Sequence, residues 1–124
     1  MANVGYVCLG ANDFDRATGF YDALLGEMGG KRLMPTPHGL MYRLASGAMI
    51  MITRPYDDKP ATASNGGMLA IAVDSKEDVA RIHAKALELG GKCEGEPGPR
   101  GNFGEFAYFR DLDGNKLAVF HSGR

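Results

Sequence analysis

The stretch Ala107-Tyr-Phe-Arg-Asp-Leu-Asp-Gly-Asn-Lys-Leu-Ala-Val-Phe-His121 holds two apolar runs around the turn Asp111-Leu-Asp-Gly-Asn115. Aromatic and branched residues on either side of an Asp-Gly turn predict a β-hairpin. Working back from it, Pro97-Gly-Pro-Arg-Gly101 reads as a break, preceded by a short strand and by Gly90-Gly91. Before that, Val79, Ile82, Ala86 and Leu89 define the inward face of a helix capped near Ser75, and Met68 to Val73 forms a strand.

The first half has the same order. Val4 to Ala11 is a strand, and Asp13 caps a helix with Phe14, Ala17, Tyr21, Leu24, Leu25 and Met28 on one face. Gly29-Gly30 stops it, Lys31 to Met34 is an edge strand, Pro35-Thr-Pro37 is a break, and Leu40 to Ala45 with Ala48 to Thr53 form a hairpin across Ser46-Gly47. Glu27-Met-Gly-Gly-Lys31 recurs 61 residues on as Glu88-Leu-Gly-Gly-Lys92, and Pro35-Thr-Pro-His-Gly39 recurs 62 residues on as Pro97-Gly-Pro-Arg-Gly101. The hairpin glycines Gly47 and Gly114 are 67 apart, which places five extra residues in the second half around Asn102 to Phe106. A duplication explains this best. The expected architecture is α+β, with two βαβββ modules at 1–56 and 65–124 joined by a linker at 54–66 in one domain, 1–124.

Composition narrows the function. With 124 residues, 44% hydrophobic, the chain has material for one core. Its 14 basic and 15 acidic residues are interspersed, with a net charge of −1, so nucleic acid and anionic membranes are poor partners. No signal-like segment follows Met1, and the longest apolar run, Ala48 to Ile52, is far below the roughly 18 residues of a membrane span. A soluble, cytoplasmic protein with a small-molecule partner is expected. Cys8 and Cys93 lie in strand-like runs and read as reduced, buried thiols.

Strand alternation divides each sheet into two faces. Val7, Leu9, Ile50, Ile52, Leu69, Ile71, Leu117 and Val119 are aliphatic and suit packing under a helix. Tyr6, Cys8, Met49, Met51, Met68, Ala70, Ala118 and Phe120 mix small, soft and aromatic groups, a lining suited to a ligand cavity.

Two βαβββ modules, the opening Asp13-Phe-Asp-Arg16 running into Phe20-Tyr21 and Leu24-Leu25-Gly26, and the ending Phe109-Arg-Asp-Leu-Asp-Gly-Asn-Lys-Leu117 together resemble the glyoxalase/bleomycin-resistance/extradiol-dioxygenase family, the vicinal-oxygen-chelate superfamily. The likeness covers essentially the whole chain. It implies a curved mixed sheet forming a cup, helices on the convex face, a ligand on the concave face, commonly a divalent metal, and a homodimer whose modules pair within or across chains. The implied cavity comprises Tyr6, Cys8, Met49, Met51, Met68, Ala70, Tyr108, Ala118 and Phe120, with Arg54, Phe103, Glu105 and Lys116 at the rim.

In metal-binding members of that family, His, Glu or Gln on the first and last strands of each module ligate the ion. Those positions correspond here to Tyr6, Met51, Met68 and Ala118, the last lying three residues beyond Asn115. Hard and borderline divalent ions take imidazole nitrogen or carboxylate oxygen, so no metal and no cofactor is expected at the usual site. Other donors are scattered: His38 reads as a solvent-exposed loop residue, His83 as a helix-border residue facing water, His121 as a core-edge histidine, Glu105 as a solvated charge and Asp57-Asp58 as a charged turn. Cys8 has no histidine or lysine placed beside it to activate it, and no catalytic residue is assigned. Three readings follow, in order of preference. The first is a binder of a small apolar or aromatic molecule in a metal-free cup. The second is a lyase or isomerase resembling lactoylglutathione lyase, with a divalent metal on atypical donors. The third is a degenerate or regulatory subunit.

The double substitution Ala118→Glu with Met68→His is expected to create or strengthen divalent-metal binding, measured by elemental analysis as metal held beyond that of the parent protein; a parent already holding an ion at Tyr6, Met51, Met68 and Ala118 would contradict the metal-free reading.

Overall fold

The computed structural model describes residues 1–122. The chain divides into two compact units, Met1–Thr62 and Ala63–Arg124. Each is a four-stranded mixed sheet with a helix, so the α+β class and the βαβββ repeat are observed.

The first unit runs β1 (Tyr6–Gly10), α1 (Phe14–Gly26), β2 (Lys31–Pro35), β3 (Gly39–Arg43) and β4 (Met49–Thr53), in sheet order β1-β4-β3-β2. β1 and β4 are parallel, with Cys8 opposite Met51, and the remaining pairs are antiparallel. The Asp13 carboxylate accepts the Arg16 N–H at 3.1 Å and starts α1. α1 buries Ala17, Thr18, Phe20, Tyr21, Leu24 and Leu25. In β4 the alternation is explicit: Ile50 and Ile52 are buried, while Met49, Met51 and Thr53 are half-buried. Gly39 is forced, because a Cβ there would lie 2.1 Å from the Ile52 carbonyl oxygen.

A polar cluster ties α1 to the sheet. Arg32 makes a two-pronged contact with Asp22 at 2.8 and 2.7 Å, and the buried Tyr42 hydroxyl donates to Asp22 at 2.7 Å. Arg32 holds the Asp22 carboxyl below its usual range, with Tyr42 adding to the effect against partial burial. Burial, then the adjacent Asp22 carboxylate, pushes the Tyr42 phenol up.

The second unit runs β5 (Leu69–Ala72), α2 (Lys76–Glu88), β6 (Lys92–Pro99), β7 (Glu105–Arg110) and β8 (Lys116–His121), in sheet order β5-β8-β7-β6. β5 and β8 are parallel, placing Ala70 opposite Ala118. The Ser75 hydroxyl accepts the Asp78 N–H at 3.1 Å and caps α2. The predicted hairpin is β7–β8, and its turn is built on the buried Asp111. Asp111 Oδ1 accepts the N–H groups of Asp113 and Asn115, both at 2.9 Å, while Oδ2 accepts the Asn115 side-chain amide at 2.9 Å. Gly114 takes the positive φ of 88° that closes the turn.

Four expectations change. Pro97-Gly-Pro99 is not a break but the end of an eight-residue β6; as an edge strand it tolerates prolines, which lack ladder donors. The five extra residues accordingly fall in the longer β6 and in the connection from Arg100 to Gly104, with Glu105 and Phe106 already in β7. Cys8 and Cys93 are exposed rather than buried, Cys8 on the open sheet face and Cys93 on the edge strand. His83 is buried, only 3% exposed, because it completes the 79, 82, 83, 86 stripe of α2. Among the described residues no helix is long and apolar enough to cross a membrane.

Asp111→Ala removes three acceptor contacts inside a buried turn and is expected to cost about 2–4 kcal/mol in denaturant unfolding. Asp22→Asn is expected to lower the melting temperature at neutral pH by roughly 1–4 °C, as partly exposed ion pairs do. Because the folded-state pKa of Asp22 is depressed, its contribution is present above the unfolded-state value of 3.8 and vanishes as pH falls through the lower folded-state value. The parent and Asp22→Asn melting curves therefore converge in acid.

Candidate functional site

The helix covers one face of the first sheet, leaving Cys8, Gly10, Met51 and Thr53 on the other. The chain leaving β4 folds back over that face. Asn12, just past β1, clamps it: the side-chain amide donates to the Ala61 carbonyl at 3.0 Å, and its oxygen accepts the Ala61 N–H at 2.7 Å. Gly10 permits the approach, since a Cβ there would sit 2.9 Å from the Ala61 Cβ. At the other end the Arg54 N–H donates to the His38 carbonyl at 2.9 Å. Asp58 takes a positive φ of 61°, and Asp57 accepts the Lys59 N–H at 3.0 Å, a turn as expected from the Asp-Asp pair.

Sheet, β2–β3 connection and returning chain border an open cleft of about 750 Å³, lined by Cys8, Met51, Thr36, His38 and Thr53 among others, with the exposed Tyr56 at its rim. The size is that of a small-molecule site. Its wall is mostly apolar, with polar groups at the β2–β3 connection (Thr36, His38), on β4 (Thr53) and on the returning chain (Arg54, Asp57, Thr62). In the β2–β3 connection, Thr36 Oγ1 and His38 Nδ1 are buried without a hydrogen-bond partner. Buried polar atoms are ordinarily paired, and both of these are shielded from solvent, so a bound molecule would reach them only with movement of the β2–β3 connection. The His38 ring lies 5.9 Å from that of Tyr56. His38 is thus half-buried and part of the cavity, not the solvent-exposed loop residue expected, because the returning chain covers it.

Of the cavity and rim residues expected from the sequence, Cys8, Met51 and Arg54 line this cavity, as do His38 and Asp57, expected only as loop and turn residues. Tyr6 and Met49 face each other in the β1–β4 register on the same open face, outside the cavity wall. The other residues belong to the second unit. There Phe106 stacks on Phe120 at 4.9 Å and lies 6.1 Å from Tyr108, while Arg100 and Lys116 sit over the Tyr108 ring at 4.6 and 5.4 Å. Ala118 is fully buried between Tyr108 and Ala70 in the register, and Ala70 and Met68 are exposed. Phe103 is 77% exposed. Glu105 shares parity with the buried Ala107 and Phe109, on the face opposite Tyr108. His121 contacts the Val73 carbonyl through Nδ1 at 3.1 Å.

Sequence reasoning missed Thr36, His38, Tyr56 and Ala61, and on the second sheet Phe106. Phe106 was recoverable, since it shares parity with Tyr108. The others depend on where an irregular segment lies. At the four positions corresponding to the family's metal ligands, the groups are a phenol, two thioethers and a methyl, a donor set that does not fit a hard or borderline divalent ion.

No curated protein matches the sequence. Among solved structures, a glyoxalase/bleomycin resistance protein from Albidiferax ferrireducens is 37% identical, with a TM-score of 0.85, covering 95% of this chain and 97% of that one. A glyoxalase/bleomycin resistance protein/dioxygenase family enzyme from Burkholderia phytofirmans is 17% identical, with a TM-score of 0.80 and coverage of 98% and 99%. A mutant of the fosfomycin resistance protein FosX from Listeria monocytogenes, complexed with Mn(II) and 1S,2S-dihydroxypropylphosphonic acid, is 15% identical, with a TM-score of 0.78 and coverage of 98% and 93%. The last two likenesses concern the fold alone. The sequence profile of the Glyoxalase/Bleomycin resistance protein/Dioxygenase superfamily matches residues 3–119, and the chain belongs to that superfamily.

Proposed function

We propose that this protein binds a small apolar or aromatic molecule on the open face of its first sheet, beneath the chain that returns from β4, without a metal at the family's usual positions. The observation that supports this reading is the open cleft of about 750 Å³ whose predominantly apolar lining includes Met51 and Cys8 and whose few polar groups include Thr36, His38 and Arg54. Apolar surface supplies affinity and a few placed polar atoms fix orientation. The Mn(II) of FosX does not transfer, because Tyr6, Met51, Met68 and Ala118 offer no imidazole or carboxylate. A homodimer belongs to the same proposal, the exposed Tyr6, Leu33, Met34 and Met68 offering apolar surface to a second copy.

Mass spectrometry of molecules that co-purify, and titration with the fluorescent aromatic, anionic probe anilinonaphthalene sulfonate, test the reading. Met51→Asp puts a charge into the wall and is expected to weaken probe binding at least about tenfold, the cost of desolvating an unpaired carboxylate. A maleimide is expected to label Cys8 more slowly when the probe is bound. Probe binding that is unchanged in Met51→Asp, with Cys8 labelling insensitive to the probe, would place the ligand elsewhere.

The Asn12 clamp gives a separate expectation. Asn12→Ala deletes both contacts to Ala61, worth about 1 kcal/mol each. Chymotryptic cleavage at Tyr56 should accelerate roughly 5–30-fold, and probe affinity should fall with it.

A further inference from the structure

The second unit contains a constellation that the binding proposal does not use. His83 is on the buried stripe of α2, 3% exposed, and its Nε2 is buried with no hydrogen-bond partner. Cys93 and Glu96 come from the edge strand β6. Three residues apart in a regular strand they would point to opposite faces. The β6–β7 register, however, shifts between Cys93 and Gly95 and again between Gly95 and Gly98. That irregularity brings the two side chains together, the Cys93 thiol donating to Glu96 Oε1 at 3.3 Å. One ligand atom from each of His83, Cys93 and Glu96 lies within 4.8 Å of the other two.

We propose that His83, Cys93 and Glu96 form a zinc site that pins helix α2 to the edge strand β6. Imidazole, thiolate and carboxylate are the donor set of a borderline divalent ion, and three protein ligands leave a fourth tetrahedral position for water. Zinc bonds of about 2.0–2.3 Å bring tetrahedral donors nearer to one another than the widest separation here, so the site closes by roughly 1 Å on loading. Cys93 and Glu96 are exposed and free to make that movement, which also gives the ion a path from solvent. Binding replaces the thiol proton, which leaves to solvent, and engages a nitrogen of the His83 imidazole. Cys93 is opposite Phe109 in the register, on the helix-covered side, whereas Ala118 is opposite Tyr108 on the open side. The site therefore does not coincide with the family's ligand positions, and it stands whether or not the first unit binds a small molecule.

The test uses the full-length protein, stripped with a chelator and titrated with Co²⁺ and then Zn²⁺. The expected result is one Co²⁺ per chain with a thiolate-to-cobalt charge-transfer band, displaced by Zn²⁺, and a melting temperature raised by Zn²⁺. Cys93→Ser should abolish the band, and Cys8→Ser should leave it intact. Glu96→Gln and His83→Gln should weaken Zn²⁺ binding by at least the roughly 10–100-fold that loss of a group merely supporting a ligand costs. His83 is buried, so the variants at exposed Cys93 and Glu96 decide the matter if His83→Gln fails to fold. No band in the parent protein, a band that survives Cys93→Ser, or one lost in Cys8→Ser would each overturn the assignment.

Discussion

Each four-stranded sheet in this protein has one helix, and a helix can bury only one face of a sheet. Everything else follows from that constraint. Parallel pairing of the first and last strands of each module places Ile50, Ile52, Leu117 and Val119 under the helices. The opposite faces have no helix to cover them, so their residues are released from close packing and can serve a ligand or another surface. Cys8, Met51 and Thr53 occupy one such face; Tyr108, Phe106 and Phe120 occupy the other.

The two modules solve the uncovered face differently. In the first, backbone returns over the sheet and is held by the Asn12 amide against Ala61, so the face becomes the wall of a cavity. In the second, the face is filled by its own stacked aromatic rings, with Arg100 and Lys116 over Tyr108. A duplicated scaffold thus carries two chemistries. The first face is lined by the segment that follows β4 and the second by its own aromatic side chains, while the order of the elements stays the same.

The edges diverge too. β2 is five residues long with one register shift and one proline, whereas β6 is eight residues with two register shifts and two prolines. An irregular edge strand discourages pairing with other chains. Here it also turns Cys93 and Glu96 toward the buried His83, so a protective irregularity doubles as a means of assembling polar groups.

The sequence by itself determined the elements, their order, the duplication and the family, because those depend on local chemistry: caps at Asp13 and Ser75, an Asp111 turn, and alternation along strands. Alternation also identified Cys8 and Met51 as open-face residues, since side chains two apart in a strand share a face. What it did not determine lay in irregular backbone. His38 read as a loop residue and His83 as a border residue, since periodicity says nothing about a chain folding back or how wide a helix's buried stripe becomes. Pro97-Gly-Pro99 read as a break because a strand's position at the sheet edge, which excuses its prolines, is a property of the whole sheet. Tertiary structure alone decided where the segment after β4 runs, and with it the cavity, because that path is fixed by hydrogen bonds between Asn12 and Ala61, 49 residues apart.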